Sequence, residues 1–432
     1  MAAEGLKCVR TLADMNREEI ELVLSLARKM KEKPGNFGDV LRGKTLVMLF
    51  EKPSLRTRLS FEAGMTRMGG HAIFYSVRDS PLGKKESLSD TARCISRFCD
   101  VVMARVYSHK DIDELAREAS VPVINALDDR CHPCQALADA LTISEHVFPR
   151  AGGEKRIKVA FMGDAENNMA YAIMRMGAIL GMDVTVGCPD DDRYRPLPDV
   201  LESIQELAAR GGTGARVTVT HDAVKAVAGA DVVYTDSWFS YGIGDEEKEA
   251  RVAAFTPYQV NSQLMAHAAD GAAFMNCLPA ARGQEQTAEV IDGPQSVVFD
   301  EAENRLHAQS ALLVYLVLGA HKVQQLLAPE SGAHAPVVVA VGGNALQRPG
   351  TADSDEDLDL AAQSAAKGIA HLPHRTRGAG VVVVHGNGPQ VGTLLKGRAM
   401  AVGQRSLNLN MCVAASQGEI GAVLSRCLGD AE

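Results

Sequence analysis

Thr45-Leu46-Val47-Met48-Leu49-Phe50-Glu51-Lys52-Pro53-Ser54-Leu55-Arg56-Thr57-Arg58 passes from an apolar, strand-like run through a short polar turn into a helix-like stretch, Leu59–Met65. A strand that ends in a turn and feeds a helix is the repeating unit of a parallel sheet, because parallel neighbours need a crossover between them. The turn itself gathers two guanidinium groups, two hydroxyls and the free N–H groups of a helix start. Such an end attracts anions, since its first amides lack intrahelical partners and the helix dipole adds partial positive charge. Arginine adds planar forks that match phosphate oxygens. An ordinary Arg-rich surface turn is the plain alternative, so the rest of the chain has to decide.

Outward from this turn the same alternation continues. Further strand candidates are Ala72–Tyr75, Val101–Ala104 and Val121–Asn125, separated by helix-like stretches such as Arg17–Lys31 and Leu88–Phe98. A second series begins with Ile157–Asp164 and adds Asp183–Gly187, Arg216–Thr220, Val232–Thr235 and Gly271–Asn276. Two doubly wound α/β domains with parallel sheets follow, with ligands expected beyond the carboxyl ends of the strands. Ser54, Arg105, Asp164 and Asp236 all stand at or just past such ends. The expected boundaries are 1–150 and 151–328, with the last helix of the second domain packing back on the first. A Pro/Gly/Ala-rich linker, 329–336, leads to a third segment, 337–432. There Val337–Val341 runs into Gly342-Gly343-Asn344, and Val381–Val384 runs towards Gly386-Asn387-Gly388. This segment reads as the front part of a further α/β domain.

The chain has 432 residues, 46% hydrophobic and 23% charged, which suits globular domains with full cores. Its net charge of −9 argues against a general nucleic-acid binder, whose footprint is basic, but leaves room for an anionic small molecule held by local positive charge. No apolar run reaches the ~20 residues that span a bilayer, and the start shows no secretory h-region. Nine cysteines without regular spacing point to reduced thiols and a cytoplasmic location. Cys131 and Cys134 form a CxxC pair, yet no second pair or His cluster has zinc spacing, so no metal site is expected.

Eight blocks in order carry a family resemblance. They are FEKPSLRTR around Ser54, LGKKES at Leu82–Ser87, ARVYSH at Ala104–His109, HPCQALAD at His132–Asp139, GDAENN at Gly163–Asn168, DSWFSYG at Asp236–Gly242, NCLPA at Asn276–Ala280 and DEAENRLH at Asp300–His307. Residues from about 5 to 325 resemble the ornithine-type carbamoyltransferases. The resemblance implies transfer of a carbamoyl group from carbamoyl phosphate to the side-chain amine of L-ornithine, giving citrulline and phosphate, with no cofactor. It implies that Ser54, Leu55, Arg56, Thr57 and Arg58 bind the phosphate, with Arg105 and His132 near both carbonyl oxygen and phosphate, Gln135 holding the carbamoyl amide, and Arg305 as a further contact. Asn168, Asp236 and Ser240 match positions that hold the amino-acid head group, with Tyr241 beside them. Cys277 and the carbonyl of Leu278 would lie beside the attacking amine. Arg105, His132, Cys277 and Asp236 are the expected catalytic set. A homotrimer or higher homo-oligomer is also implied.

Three positions depart from the family pattern. Tyr241 replaces a usual methionine, Asn276 a common histidine, and Pro81 a polar residue that reaches into a neighbouring subunit. The first two leave putrescine open as a rival acceptor, and a non-catalytic scaffold is the alternative from another class. Residues beyond about 336 resemble the N-terminal part of carbamate kinase through VGGNAL, HGNGPQVG and SQGEIG. Gly342, Gly343, Asn344, Gly386, Asn387 and Gly388 would form its anion-holding turns, but the nucleotide-binding part lies outside this chain, so kinase activity is not expected. A linked transferase and kinase suits a transferase run in reverse to supply carbamoyl phosphate.

Overall fold

Strand β1, Thr45–Phe50, sits inside a four-stranded parallel sheet with β2 (His71–Ser76), β3 (Val101–Arg105) and β4 (Val123–Leu127), in the order β2-β1-β3-β4. The computed structural model describes residues 8–77, 86–151, 155–239, 245–328, 337–342, 355–370 and 381–385. A second parallel sheet has the order β7-β6-β5-β8-β9, from β5 (Lys158–Met162), β6 (Asp183–Gly187), β7 (Val217–Thr220), β8 (Val232–Thr235) and β9 (Ala273–Met275). The order reverses direction at β1 in the first sheet and at β5 in the second, which opens a crevice at each carboxyl edge.

The sequence signals and the elements agree on which segments form strands, with shifts at the ends. The stretch read as Val121–Asn125 pairs as Val123–Leu127. Pro122 cannot donate to a ladder, and its carbonyl instead accepts from Val102 N–H just before the strand starts. The helix expected over Leu88–Phe98 ends at Ile95.

The long helix Val298–Leu318 follows the second sheet in sequence yet packs on helices Arg17–Glu32, Leu55–Arg67 and Pro133–His146 beside the first. The approach is close at Gly64, where an added Cβ would meet Ser310 Oγ at 2.6 Å. One large apolar cluster, including Phe61, Leu141, Ile173, Tyr234 and Leu312, runs through both sheets' helices and makes the two lobes one body. Met1–Leu327 forms one compact unit, and Ala328–Glu432 forms another. In that second unit β10 (Val337–Val341) pairs in parallel with β11 (Val381–His385), and helix Asp355–Ala370 buries Ala361, Ala362 and Ala366.

Candidate active site

The turn before helix Leu55–Arg67 is shaped by its own side chain. Ser54 is the N-cap, and its Oγ accepts from Thr57 N–H at 3.3 Å, leaving the neighbouring amides at the helix start. Thr57 is buried and its Oγ1 accepts from Arg305 Nη2 at 3.0 Å. Arg305 comes from the long helix and is held on three sides, since Nε also donates to Gln309 Oε1 at 2.8 Å and Nη1 to Gln135 Oε1 at 2.7 Å. Gln309 in turn donates to Ser60 Oγ at 2.8 Å, which ties the long helix to the helix after the turn.

Arg105 closes β3 and is buried. His132 is buried just before Pro133, which starts the next helix with a ring that needs no N–H partner. Burial, reinforced by the positive charges of Arg305, Arg105 and Arg56, holds the His132 imidazole well below its usual range. It is therefore neutral at physiological pH, and its Nδ1 has no hydrogen-bond partner among the described residues. Arg56, Arg105, Arg305 and His132 thus share one neighbourhood, with Gln135 against it. Arg58 stands apart. It is exposed, its Nε donates to Glu62 at 2.9 Å, and its guanidinium lies 3.8 Å from the centre of the Phe74 ring. Lys52, which drew no notice in the sequence, is buried close to Arg105, and burial followed by that charge lowers its pKa.

On the second lobe, Asp236 follows β8 directly. Its Oδ2 accepts from Asn167 Nδ2 at 3.1 Å, and Cys277 Sγ donates to its Oδ1 at 3.3 Å. Asn167, not Asn168, is the neighbour of Asp236; Asn168 donates to the carbonyl of Asp128 at 2.7 Å. Burial, with Asp236 and Glu301 adding to it, raises the Cys277 thiol well above its ordinary pKa, so it is a hydrogen-bond donor rather than a thiolate. Leu278 adopts a φ of 56°, left-handed backbone that a bulky residue seldom takes, and so turns its carbonyl away from the strand line. Asn276 shapes that turn: its Oδ1 accepts from Leu278 N–H at 2.8 Å and its Nδ2 donates to Gln286 at 3.2 Å. Both ends of this side chain are used inside the lobe. Asp164 and Arg251 form a buried pair, and Arg251 Nε donates to Trp238 O at 2.7 Å, fixing the start of the segment after Asp236. Ser240, Tyr241 and Pro81 lie outside the described residues, as do Gly343, Asn344, Gly386, Asn387 and Gly388.

Among the described residues one group has metal-like spacing, His109, Asp128 and Cys131, with donor atoms all within 4.8 Å. Its atoms are already engaged. Asp128 Oδ2 accepts from Asn125 Nδ2 at 2.7 Å and meets His109 Nδ1 at 2.5 Å, and Arg175 Nη1 donates to Cys131 Sγ at 3.4 Å. A guanidinium on the sulfur disfavours a cation there, so the group acts as an ion pair beneath the β4 turn.

One strand end and three helices bring Arg105, Arg56, Arg305, a neutral His132 and the Gln135 amide together, and the turns after β8 and β9 add a carboxylate and a thiol, a set that suits a group-transfer enzyme acting on an anionic donor and an amine. Residues 7–145 match the family described as aspartate/ornithine carbamoyltransferase, carbamoyl-P binding domain, and residues 155–316 match its Asp/Orn binding domain. The chain belongs to the aspartate/ornithine carbamoyltransferase family. It is 49% identical over 310 residues to an ornithine carbamoyltransferase of Pyrococcus abyssi, covering 71% of this chain and 95% of that one. It is 50% identical over 313 residues to one from Methanothermobacter thermautotrophicus, covering 72% and 99%. The solved ornithine carbamoyltransferase of Pyrococcus furiosus superposes with a TM-score of 0.68 at 45% identity, covering 74% of this chain and 99% of that one. Ornithine transcarbamoylase from Giardia lamblia gives 0.67 at 43%, covering 73% and 99%.

Proposed function

We propose that this chain transfers the carbamoyl group of carbamoyl phosphate to the side-chain amine of L-ornithine, releasing citrulline and phosphate. The observation that carries this reading is the convergence of Arg56, Arg105 and Arg305 on a neutral His132 beside Gln135. A phosphate dianion needs fixed charge, and Arg56 and Arg105 with the amides of residues 54–58 supply it. As the amine adds, the carbonyl oxygen gains negative charge, which Arg105 stabilises with a hydrogen bond from His132. Neutral His132 donates through one nitrogen without adding charge to the ground state. Gln135 Oε1 receives an N–H of the carbamoyl group, and Arg305 acts through Gln135 and Thr57, holding both in place. The roles of Ser54, Leu55 and Thr57 follow from the capped helix start. Arg58, turned to Glu62 and Phe74, contributes to the potential rather than to direct contact.

On the amine side Asp236 pairs with the ornithine ammonium group, with Asn168, Ser240 and Tyr241 completing the head-group site. Cys277 and the carbonyl of Leu278 receive the side-chain amine. That amine must shed a proton from an ordinary pKa near ~10.4 before it attacks, and a closed, partly desolvated cavity favours the neutral form. Residues 7–145 form the carbamoyl phosphate lobe and 155–316 the ornithine lobe of this proposal. Exposed Leu55, Leu59, Ile73 and Tyr75 at the edge of the first lobe support assembly into a homotrimer. The parallel β10 and β11, with helix Asp355–Ala370 between them in sequence, support a carbamate kinase-like start for 337–432.

A parallel assay of ornithine, putrescine and aspartate with carbamoyl phosphate tests the reading. Citrulline is expected from ornithine with the highest kcat/KM; faster turnover of putrescine, or none with any amine, would overturn it.

A further inference from the structure

Between the lobes lie two acids that no step above uses. Asp139 and Glu301 are both 0% exposed. Asp139 stands one turn after Gln135 on helix Pro133–His146, and Glu301 one turn before Arg305 on the long helix, so the four side chains meet across one helix contact. Gln135 Nε2 donates to both acids, at 2.8 Å to Asp139 Oδ1 and 3.1 Å to Glu301 Oε1. Glu301 also reaches the second lobe: its Oε1 accepts from Tyr234 OH at 3.1 Å and its Oε2 from Asn276 N–H at 3.0 Å. Asp139 Oδ2 has no donor among the described residues, and the two carboxyl groups lie within hydrogen-bonding reach of each other. Two bare carboxylates side by side in a buried site repel strongly. The nearest cation, Arg305, directs its donors to Gln135, Gln309 and Thr57. A single proton between the acids gives the orphan oxygen its hydrogen bond and removes one of the two charges.

We propose that Asp139 and Glu301 share a proton and serve together as a positioning pair, fixing the Gln135 amide towards the transferred group and tying it to the turn Asn276–Leu278. Both acids offer lone pairs to Gln135 Nε2, so the amide cannot flip. Its Oε1 is then the atom turned to Arg305, with one lone pair taken by that guanidinium and the other left for an incoming N–H. The amide of a carbamoyl group is such a donor, and in this the inference rests on the functional reading above. Because Glu301 holds the amide of Asn276, directly before Cys277 and Leu278, one carboxyl group governs the geometry on both sides of the transfer. Burial is the first cause that raises both Asp139 and Glu301 above the ordinary carboxyl range. The other groups facing the pair are Arg305 on Glu301's own helix, Tyr234 from β8, and Cys277 and Asp236 from the turns beyond β9 and β8.

The test uses the full chain with Asp139→Asn and Asp139→Ala, an infrared spectrum without substrate, and calorimetric binding of carbamoyl phosphate and of inorganic phosphate. Asparagine places an N–H where the shared proton sits and keeps the same net charge. Wild type is expected to show a protonated-carboxyl band at pH 8 that vanishes in Asp139→Asn, while carbamoyl phosphate affinity stays within about threefold of wild type. Asp139→Ala is expected to weaken carbamoyl phosphate by about tenfold or more, the value of one buried hydrogen bond, and to leave inorganic phosphate, which has no N–H for Gln135, unchanged. Absence of the band in wild type overturns the shared proton. Equal loss of both ligands in the alanine variant, or loss of carbamoyl phosphate binding in the asparagine variant, overturns the positioning role. A wild type that binds inorganic phosphate but not carbamoyl phosphate overturns the functional reading, and this inference with it.

Discussion

On the first lobe, Thr57, Gln135 and Arg305 hold one another at 3.0 Å or less, and Gln309 and Ser60 brace them from behind. On the second lobe, Asp236 meets Asn167 and the Cys277 thiol at the longer distances of 3.1 and 3.3 Å. On the proposed function the first site takes a ligand with a permanent double charge, and donors fixed in advance cost no reorganisation when it arrives. On the same reading the second receives an amine that must enter, lose a proton and leave as product, and Asp236 is the carboxylate that joins Asn167 to Cys277 there. On the proposed function, the difference separates two tasks: the first lobe would set the barrier of the chemical step, and the second would set which amine is bound.

Arg105→Ala is expected to have the largest effect of the substitutions that test this division. Removing one donor to a developing oxyanion costs ~10²–10³ in kcat, with the ornithine KM little changed. Steady-state kinetics in both substrates checks it, and a loss confined to the ornithine KM would break the division. Asp236→Asn should act in the opposite sense. A hydrogen bond to a charged group contributes ~1.5–3 kcal/mol, so the ornithine KM should rise by about 10- to 100-fold while carbamoyl phosphate binds as before. A matching fall in carbamoyl phosphate affinity would show that the two lobes do not divide the work.

The smallest effect is expected at His109, which belongs to neither site. Its hydrogen bond to Asp128, then that to Cys131, raises its pKa to about 10. A raised folded-state pKa means that the bound proton stabilises the fold fully below about 6.5, the unfolded value, and that this contribution fades as pH climbs through about 10. His109→Gln should flatten the fall in thermal stability across that window and leave turnover at neutral pH within about threefold. A wild type whose stability is flat from pH 6.5 to 10 would remove this ion pair as a source of stability.

The sequence made the alternation of strands and helices readable because apolar runs, turns and caps are local signals. The helix start after β1 was equally local: Ser54 caps the very helix that its position suggested. What stayed hidden depends on contacts across the chain. Arg58 looked equal to Arg56 until Glu62 and the Phe74 ring drew it outward. Asn167 and Asn168 are adjacent in sequence, but Asn167 is the extended N-cap and Asn168 the first helical residue, so their side chains part, one to Asp236 and the other to the Asp128 carbonyl. Asn276, which bore on the choice of amine when read in line, has its side chain taken up by Leu278 and Gln286. Asp139 and Glu301 did leave a trace. An acid inside Ala136-Leu137-Ala138-Asp139-Ala140-Leu141, four residues from Gln135, is out of place on an apolar helix unless something buried needs it. That trace names no partner, because the other acid comes from a segment far along the chain.

The return of helix Val298–Leu318 to the first lobe also orders events at the ribosome. Thr57 and Gln135 are translated early, but the guanidinium that joins them, Arg305, emerges only after the entire second lobe has been made. At ~5–20 residues per second, the early lobe waits roughly 10–35 s after His146 is added before its closing helix is complete. During that interval the nascent chain exposes the apolar face that this helix will cover, and it is then that a chaperone would have the most to bind.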